Sequence, residues 1–169
     1  NDSAPAIERE DATFRGVGRR LEELGEWDGC TLVSDYAHHP TEVAATLQAL
    51  RERHAGRRLI VVFQPHQAVR FQAYHARFAE TLDAADAVLL LEVYRVRDPE
   101  DLRISVRELL PALSGRDGRP LAAAETFDAA AARLERWKRP GDLILFLGAG
   151  DIDAFARSLV GREVSATAG

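Results

Sequence analysis

The sequence predicts an α/β fold, a Rossmann-like, mostly parallel sheet of about six strands flanked by helices. Uninterrupted apolar runs such as Leu59–Phe63 and Leu143–Leu147 are typical of strands that are covered on both faces. Segments with helical spacing of apolar residues alternate with these runs, and this alternation favours a parallel sheet. Near the start, two strand-like runs are separated only by a turn, which predicts an antiparallel N-terminal hairpin at or near one edge.

The first elements in chain order are the hairpin, one helix and one buried strand. A strand at residues 19–24, a turn at 26–29 and a second strand that ends at Val33 predict the hairpin. Pro40 can occupy the first turn of the next helix, because its missing N–H costs no hydrogen bond there. The strand Leu59–Phe63 follows. The apolar face of the predicted helix comprises Val43, Leu47 and Leu50.

The alternation continues through the middle of the chain. Apolar residues at helical spacing between Phe71 and Leu82 predict a second helix. A buried strand at Ala87–Leu91, a short helix at residues 105–113 and a short strand at Leu121–Ala124 are predicted next. Thr126 is the predicted N-cap of the following helix, because its hydroxyl can accept a hydrogen bond from a first-turn N–H.

After the strand Leu143–Leu147, residues 148–153 resemble the start of a dinucleotide fingerprint, but Asp153 stands where the third glycine would be. Two acids at a helix start would also repel a pyrophosphate. We therefore expect a tight turn into a last helix that Asp151 caps, and no NAD site.

Composition limits the number of domains and the class of partner. The 169 residues, 46% hydrophobic and 29% charged, fit one soluble domain with its own core. The net charge of -5 argues against nucleic acid, and no apolar run is long enough to span a membrane. The single cysteine, Cys30, excludes an internal disulfide and a cysteine metal cage, and it favours a cytoplasmic protein.

The ends of the chain are predicted to lie outside the folded domain. The sequence contains no Met, even at position 1, so we expect a piece of a longer protein. Residues 1–13 are predicted to be a linker from a preceding domain, 14–162 the folded domain and 163–169 a disordered tail. The phosphate-loop motif G-x-x-x-x-G-K-[ST] is absent from the sequence, so such a loop would have to come from elsewhere.

Two polar segments each follow a predicted strand. Residues 35–40 read Asp-Tyr-Ala-His-His-Pro, and residues 64–66 read Gln-Pro-His. Ligands of open parallel sheets bind outside the carboxyl ends of the strands, so the segments are expected to share one crevice. Arg70 lies one turn beyond His66 at a helix start, where a guanidinium is well suited to hold a carboxylate.

Each of these residues also has a structural interpretation. Asp35 could cap the turn that follows it, and Arg70 could pair with a surface acid. Of the adjacent His38 and His39, one could face the crevice while the other packs. A metal-dependent hydrolase that uses His38, His39 and His66 is an alternative, but their spacing matches no standard ligand motif and we expect no metal.

Taken in order, residues 14–22, 35–40, 64–66 and 148–152 resemble the C-terminal domain of the Mur ligases, the ATP-dependent amino-acid ligases of peptidoglycan precursor synthesis. The resemblance extends from about residue 14 to residue 160. The His-His-Pro segment resembles that of the members that add L-alanine to UDP-N-acetylmuramate. Members that recycle a murein tripeptide share this segment but usually differ at residues 64–66 and 148–152. Members that add diaminopimelate or lysine carry Thr or Asn in place of the second His.

The resemblance implies roles for individual residues. Arg20 and Asp35 would approach the ribose or phosphates of ATP. The residues that would line the L-alanine pocket are Tyr36, His38, His66 and Arg70. ATP with Mg²⁺ would activate the carboxylate of UDP-N-acetylmuramate for attack by the amine of L-alanine. The phosphate loop, the Mg²⁺ site and most of the UDP-sugar site belong to the N-terminal and central domains, so no catalytic residue is expected here and the fragment alone would be inactive.

The chain departs from the family pattern at two places. The family typically shows Gln-Pro-His-Arg-Tyr-Thr-Arg, and Gln67 replaces the first Arg, which removes one possible carboxylate contact. Residues 93–109 lack the glycine-rich loop that is expected after the third strand of the alternation. Two alternatives therefore stay open: a recycling ligase that adds a murein tripeptide to UDP-N-acetylmuramate, and a non-catalytic nucleotide- or ligand-binding module.

Overall fold

The structure, a computed structural model, describes residues 20–162. Strands and helices alternate along these residues. The strands are β1 (Glu22–Trp27), β2 (Cys30–Asp35), β3 (Leu59–Phe63), β4 (Ala87–Leu91), β5 (Leu121–Ala124) and β6 (Leu143–Leu147). The helices are α1 (Pro40–Arg53), α2 (Ala68–Leu82), α3 (Leu110–Leu113), α4 (Phe127–Trp137) and α5 (Ile152–Leu159). A 3₁₀ turn at Val106–Leu109 leads directly into α3. The predicted linker 1–13 and tail 163–169 lie outside the described residues.

The strands form one mixed sheet in the order β1-β2-β6-β3-β4-β5. Among the strands of residues 20–162, only β1 and β2 pair antiparallel and every other pair is parallel, which confirms the predicted fold class. Asp35 is in register with Leu147, and Leu147 with Phe63. Three central strands therefore end at the same level, so the segments that follow them lie side by side along one edge.

Helices cover both faces of the sheet. Alternate residues of a strand point to opposite faces. Thus Val61 and Phe63 pack in the hydrophobic cluster under α1, α2 and α3, whereas Ile60 and Val62 pack in the cluster under α4 and α5. All residues of β3, β4 and β6 are buried, as their uninterrupted apolar runs predict. Each fully buried aliphatic side chain contributes about 1.5–3 kcal/mol of transfer free energy, so this core dominates stability.

The first strand and the turn of the hairpin lie later in the chain than predicted. β1 covers Glu22–Trp27 instead of residues 19–24, and the turn is the two-residue Asp28-Gly29. Both turn residues have positive φ, 48° and 79°, as in the turns that match the twist of antiparallel strands. Trp27 is buried in the core, with the Lys138 ammonium 4.8 Å from its ring centroid. Burial of Trp27 extends the strand to the point where the sequence predicted a turn.

The other predicted elements are confirmed, with α1 beginning at Pro40 and the short helix formed by the 3₁₀ turn and α3. The Thr126 hydroxyl accepts a hydrogen bond from Ala129 N at 3.0 Å, so it caps α4 as predicted. Among residues 20–162, no helix is both long enough and apolar enough to cross a membrane.

Candidate functional site

Four rings form a continuous row along the carboxyl ends of β2, β3 and β4. The ring centroids of Tyr36 and His38 are 5.1 Å apart, and those of His38 and His66 are 5.9 Å apart. His66 stacks on Tyr94, at 5.7 Å and 15° between the ring planes. We call Tyr36, His38, His66 and Tyr94 the ring row. The two polar segments of the sequence therefore meet at one crevice, as predicted.

The side chains of the two adjacent histidines diverge. His38 joins the ring row, and its Nδ1 lies 3.0 Å from the Tyr36 carbonyl and 3.7 Å from Glu42 Oε1. His39 is the N-cap of α1, where its Nδ1 accepts a hydrogen bond from Thr41 N. The His39 ring packs against Tyr74 of α2, at 4.9 Å. His38 thus belongs to the crevice, and His39 joins two helices.

Arg70 lies in the first turn of α2, beside the ring row. Its Nη1 approaches the His66 carbonyl oxygen at 3.4 Å. Within residues 20–162, Arg70 forms no ion pair with a carboxylate, so the interpretation that it pairs with a surface acid has no support. The guanidinium is only partly exposed and keeps donors for a planar anion such as a carboxylate.

Asp35 ends β2 as predicted, but its carboxylate is used inside the protein. The residue is 1% exposed. Its Oδ1 accepts hydrogen bonds from Ala37 N and Thr46 Oγ1, and its Oδ2 accepts one from Leu21 N. Burial raises the pKa of Asp35, and these three hydrogen bonds offset only part of that rise. The contacts favour the turn-capping interpretation, because Asp35 presents almost no surface to a ribose in this conformation.

Arg20, the other predicted ATP contact, borders an open cleft of about 490 Å³ next to α1. Its Nη2 donates to Glu42 Oε2 at 2.9 Å, and about a third of the Arg20 side chain is exposed. Although burial alone would raise the pKa of Glu42, the Arg20 hydrogen bond and the charge of His38 lower it. Asp35 also lines this cleft, but Arg20 is far more exposed there, and an ATP contact by either residue stays a prediction.

A metal centre finds no support in the geometry. Across residues 20–162, no group of three His, Cys, Asp or Glu side chains could hold a metal ion. His39, which the hydrolase alternative requires, points to α2 and not to His38 and His66. The described residues likewise offer no ligand set for the Mg²⁺ that the resemblance implies.

Sequence reasoning missed Tyr94. Tyr94 lies against Gly150, where an added Cβ would be 2.6 Å from Tyr94 Cγ and 2.8 Å from Gln64 Oε1. Gln64 is 6% exposed, and its Nε2 donates to Asp151 Oδ1 at 2.8 Å. Asp151 sits at the N-cap position of α5 without a side-chain capping bond, so the prediction that it caps the helix is wrong. The sequence features that could have indicated this contact are Gly150 and the aromatic residue that follows β4.

Comparison with known protein families finds a match for most of the chain. Residues 19–150 match the family described as Mur ligase, glutamate ligase domain. The chain belongs to the Mur ligase family. Its six-stranded sheet and the crevice at the strand ends are thus those of a Mur ligase domain, from a family of ATP-dependent ligases.

Relatives of this Mur ligase domain are longer proteins. The UDP-N-acetylmuramate–L-alanine ligase of Nitratidesulfovibrio vulgaris is 40% identical over 152 residues, which cover 90% of this chain and 34% of the relative. The UDP-N-acetylmuramate–alanine ligase of Thermotoga maritima superposes with a TM-score of 0.65 at 28% identity, covering 94% of this chain and 33% of that one. The chain thus spans about a third of the length of the curated relatives it matches.

The fold by itself does not distinguish between branches of the Mur ligases. A murein peptide ligase from Psychrobacter arcticus superposes with a TM-score of 0.68, at 22% identity, over 83% of this chain and 29% of that one. At this identity the likeness concerns the fold alone. The acceptor must therefore be inferred from the site residues.

Proposed function

We propose that this chain is the amino-acid-binding C-terminal domain of a UDP-N-acetylmuramate–L-alanine ligase. Such an enzyme uses ATP to join UDP-N-acetylmuramate and L-alanine through an amide bond in peptidoglycan biosynthesis, and we expect it to act in the cytoplasm. The main support is Arg70, which lies beside the ring row and lacks an acidic partner within the described residues.

The proposed binding mode follows from the charges at the crevice. L-Alanine carries one carboxylate, and the Arg70 guanidinium can hold it with two parallel hydrogen bonds. The first N–H groups of α2 donate to the Asp98 carboxylate, so the positive charge at this place comes from Arg70. Tyr36, His38 and His66 would line the rest of the pocket and orient the amine, so that the main contribution of this domain is positioning.

ATP would supply the activated phosphoryl group. We expect ATP and Mg²⁺ to be bound mainly by the regions of the longer relatives that this chain does not cover. Within this chain, Arg20 would approach the nucleotide, because a third of its side chain is exposed beside the cleft next to α1. Asp35 would hold the backbone next to Arg20 in place, because its carboxylate accepts a hydrogen bond from Leu21 N. Closure of the domain over the nucleotide would bring the pocket to the activated carboxylate.

Two alternatives predict different acceptors. A recycling ligase would accept the murein tripeptide. Gln67 stands where the family typically carries an arginine, so one possible contact to the carboxylate of L-alanine is missing, which is compatible with a different acceptor. A non-catalytic nucleotide- or ligand-binding module would take no acceptor.

The test is ATP-dependent phosphate release by the full-length protein that contains this chain. UDP-N-acetylmuramate would be supplied with L-alanine, glycine, L-serine or the tripeptide L-alanyl-γ-D-glutamyl-meso-diaminopimelate, and reactions without the UDP-sugar would serve as the control. Release with L-alanine is the expected outcome. Release only with the tripeptide would replace the proposal with the recycling ligase, and no release with any acceptor would favour the binding module.

A further inference from the structure

Helix α2 begins without a cap of its own. Its N-cap residue, Gln67, has φ 69° and makes no side-chain capping hydrogen bond. The first turn also contains no acidic residue. The first N–H groups of a helix lack partners within the helix and must be satisfied from elsewhere. This helix start carries Arg70 and follows His66, so its conformation bears directly on the proposed acceptor pocket.

Asp98 satisfies this helix start from a different loop. Its Oδ2 accepts a hydrogen bond from Ala68 N at 2.9 Å, and its Oδ1 accepts one from Val69 N at 3.1 Å. Val96 N also donates to Oδ2, at 3.1 Å, so the carboxylate closes its own loop as well. Burial alone would raise the pKa of Asp98, but these three N–H donors and Arg95 lower it.

The same loop pairs with the segment just before α2 through its main chain. Tyr94 N donates to the Pro65 carbonyl, and Gln67 N donates to the Tyr94 carbonyl, both at 2.8 Å. The Tyr94 ring stacks on His66. Main-chain pairing and the Asp98 cap thus hold residues 65–69 from both ends. Gln67 can keep its positive φ because the surrounding contacts determine it.

The far end of the loop is also anchored. Glu92 Oε1 accepts hydrogen bonds from Val93 N and Val106 N, and its Oε2 accepts one from Ser105 Oγ. The loop from Val93 to Ser105 is therefore closed at its base by Glu92 and attached to α2 by Asp98. This segment is the one that lacks the glycine-rich loop expected from the family.

We infer that the loop between β4 and the 3₁₀ turn is a brace for the acceptor pocket, and that Asp98 is its positioning residue. Asp98 does not contact the acceptor. It fixes the first turn of α2 and so sets where the Arg70 guanidinium and the His66 ring lie. The inference rests on the proposed function where it concerns the acceptor, and on the hydrogen bonds alone where it concerns the helix start.

The test compares Asp98→Ala and Asp98→Asn with the wild-type full-length protein. Arg70 would bind the carboxylate in the ground state and the transition state alike, so its displacement should mainly raise KM. We expect Asp98→Ala to raise the KM for L-alanine about five- to tenfold, with kcat changed less than about threefold. Asp98→Asn should recover most of this loss, because its amide oxygen can still accept one N–H.

Hydrogen exchange provides a readout that does not depend on turnover. Amides of Ala68 and Val69 should lose protection in Asp98→Ala and regain part of it in Asp98→Asn. Asp86→Ala is the matched control, because the Asp86 carboxylate accepts a hydrogen bond from Leu59 N at the opposite end of the sheet. Asp86→Ala should leave the KM for L-alanine unchanged.

An unchanged KM in folded Asp98→Ala would overturn the inference, and so would an equal rise in Asp86→Ala, which would indicate a global effect. If Asp98→Ala does not fold, hydrogen exchange of Asp98→Asn decides: its amide oxygen can replace only one of the two carboxylate oxygens, so wild-type protection at both Ala68 and Val69 would overturn the brace. If the wild type turns over no acceptor, the proposed function fails. Hydrogen exchange alone would then decide whether Asp98 holds the start of α2.

Discussion

At the scale of single residues, the proposed acceptor pocket depends most on Arg70. Arg70→Ala should raise the KM for L-alanine and cost about 2–4 kcal/mol of transition-state binding, since a partly desolvated charge pair would be lost. Steady-state kinetics of the full-length protein would measure the change.

Arg77→Ala is the control for that measurement. Arg77 lies on the same helix, with its guanidinium 5.9 Å from the Tyr74 ring centroid, so the variant removes the same charge away from the ring row. Equal effects of the two substitutions would point to net charge rather than a specific contact. Unchanged L-alanine kinetics in Arg70→Ala would remove Arg70 from the pocket.

Gly150 is a second residue whose role is local. Its missing Cβ leaves room for Tyr94 and Gln64, so Gly150→Ala should displace the Tyr94 ring and destabilise the protein by about 1–3 kcal/mol. Thermal and denaturant unfolding would measure the loss. Gly115→Ala is the control, because a Cβ there would meet no atom within 4 Å.

A double mutant identifies the cause of that loss. In the Tyr94→Ala background, Gly150→Ala should cost clearly less than in the wild type, because the ring that obstructs the new Cβ is absent. Additive losses would show that Gly150 is required for another reason, such as its contact with Gln64.

At the scale of secondary-structure elements, the cap of α2 predicts a pH dependence. Asp98 has a folded-state pKa below its ordinary 3.8, so it stabilises the folded protein above that pH. This contribution is lost as pH falls below 3.8 through the folded-state pKa. The difference in Tm between wild type and Asp98→Asn should therefore be largest above about pH 5 and shrink in acid.

Asp35 gives the opposite sign and so serves as the comparison. Burial raises its folded-state pKa above 3.8, so its ionised form costs stability at neutral pH, and that cost is relieved as pH falls through the folded-state pKa. Wild type should thus gain stability relative to Asp35→Asn on acidification. Parallel pH profiles for Asp98→Asn and Asp35→Asn would show that at least one of the two assignments is wrong.

At the scale of the whole molecule, the described residues form one sheet with its site at the edge where β2, β6 and β3 end together. The chain spans about a third of its relatives, and its sequence contains no phosphate-loop motif. We therefore expect the purified fragment to catalyse no ligation. Phosphate release by the fragment alone, given ATP, UDP-N-acetylmuramate and L-alanine, would contradict this expectation, with the full-length protein as the positive control.

The sequence by itself determined the strands and helices apart from the bounds of the hairpin, the start of α1 at Pro40, the cap at Thr126, and the meeting of residues 35–40 with residues 64–66. Apolar periodicity, proline geometry and a hydroxyl next to a helix start act over a few residues, so they can be read locally. Parallel strands bring their carboxyl ends to one edge, and this rule placed His38 close to His66 without coordinates.

Only the tertiary structure decided the addition of Tyr94 to the ring row, the burial of Asp35 and the capping of α2 by Asp98. These depend on partners that are remote in sequence: Asp98 and Ala68 are 30 residues apart, and Gln64 and Asp151 are 87 apart. The Asp98 and Tyr94 contacts form because β4 lies beside β3, and the Gln64–Asp151 contact forms because β6 lies on the other side of β3. Local propensity contains no information on the strand order. It could therefore predict that Asp151 caps α5, but not that Asp151 accepts a hydrogen bond from Gln64.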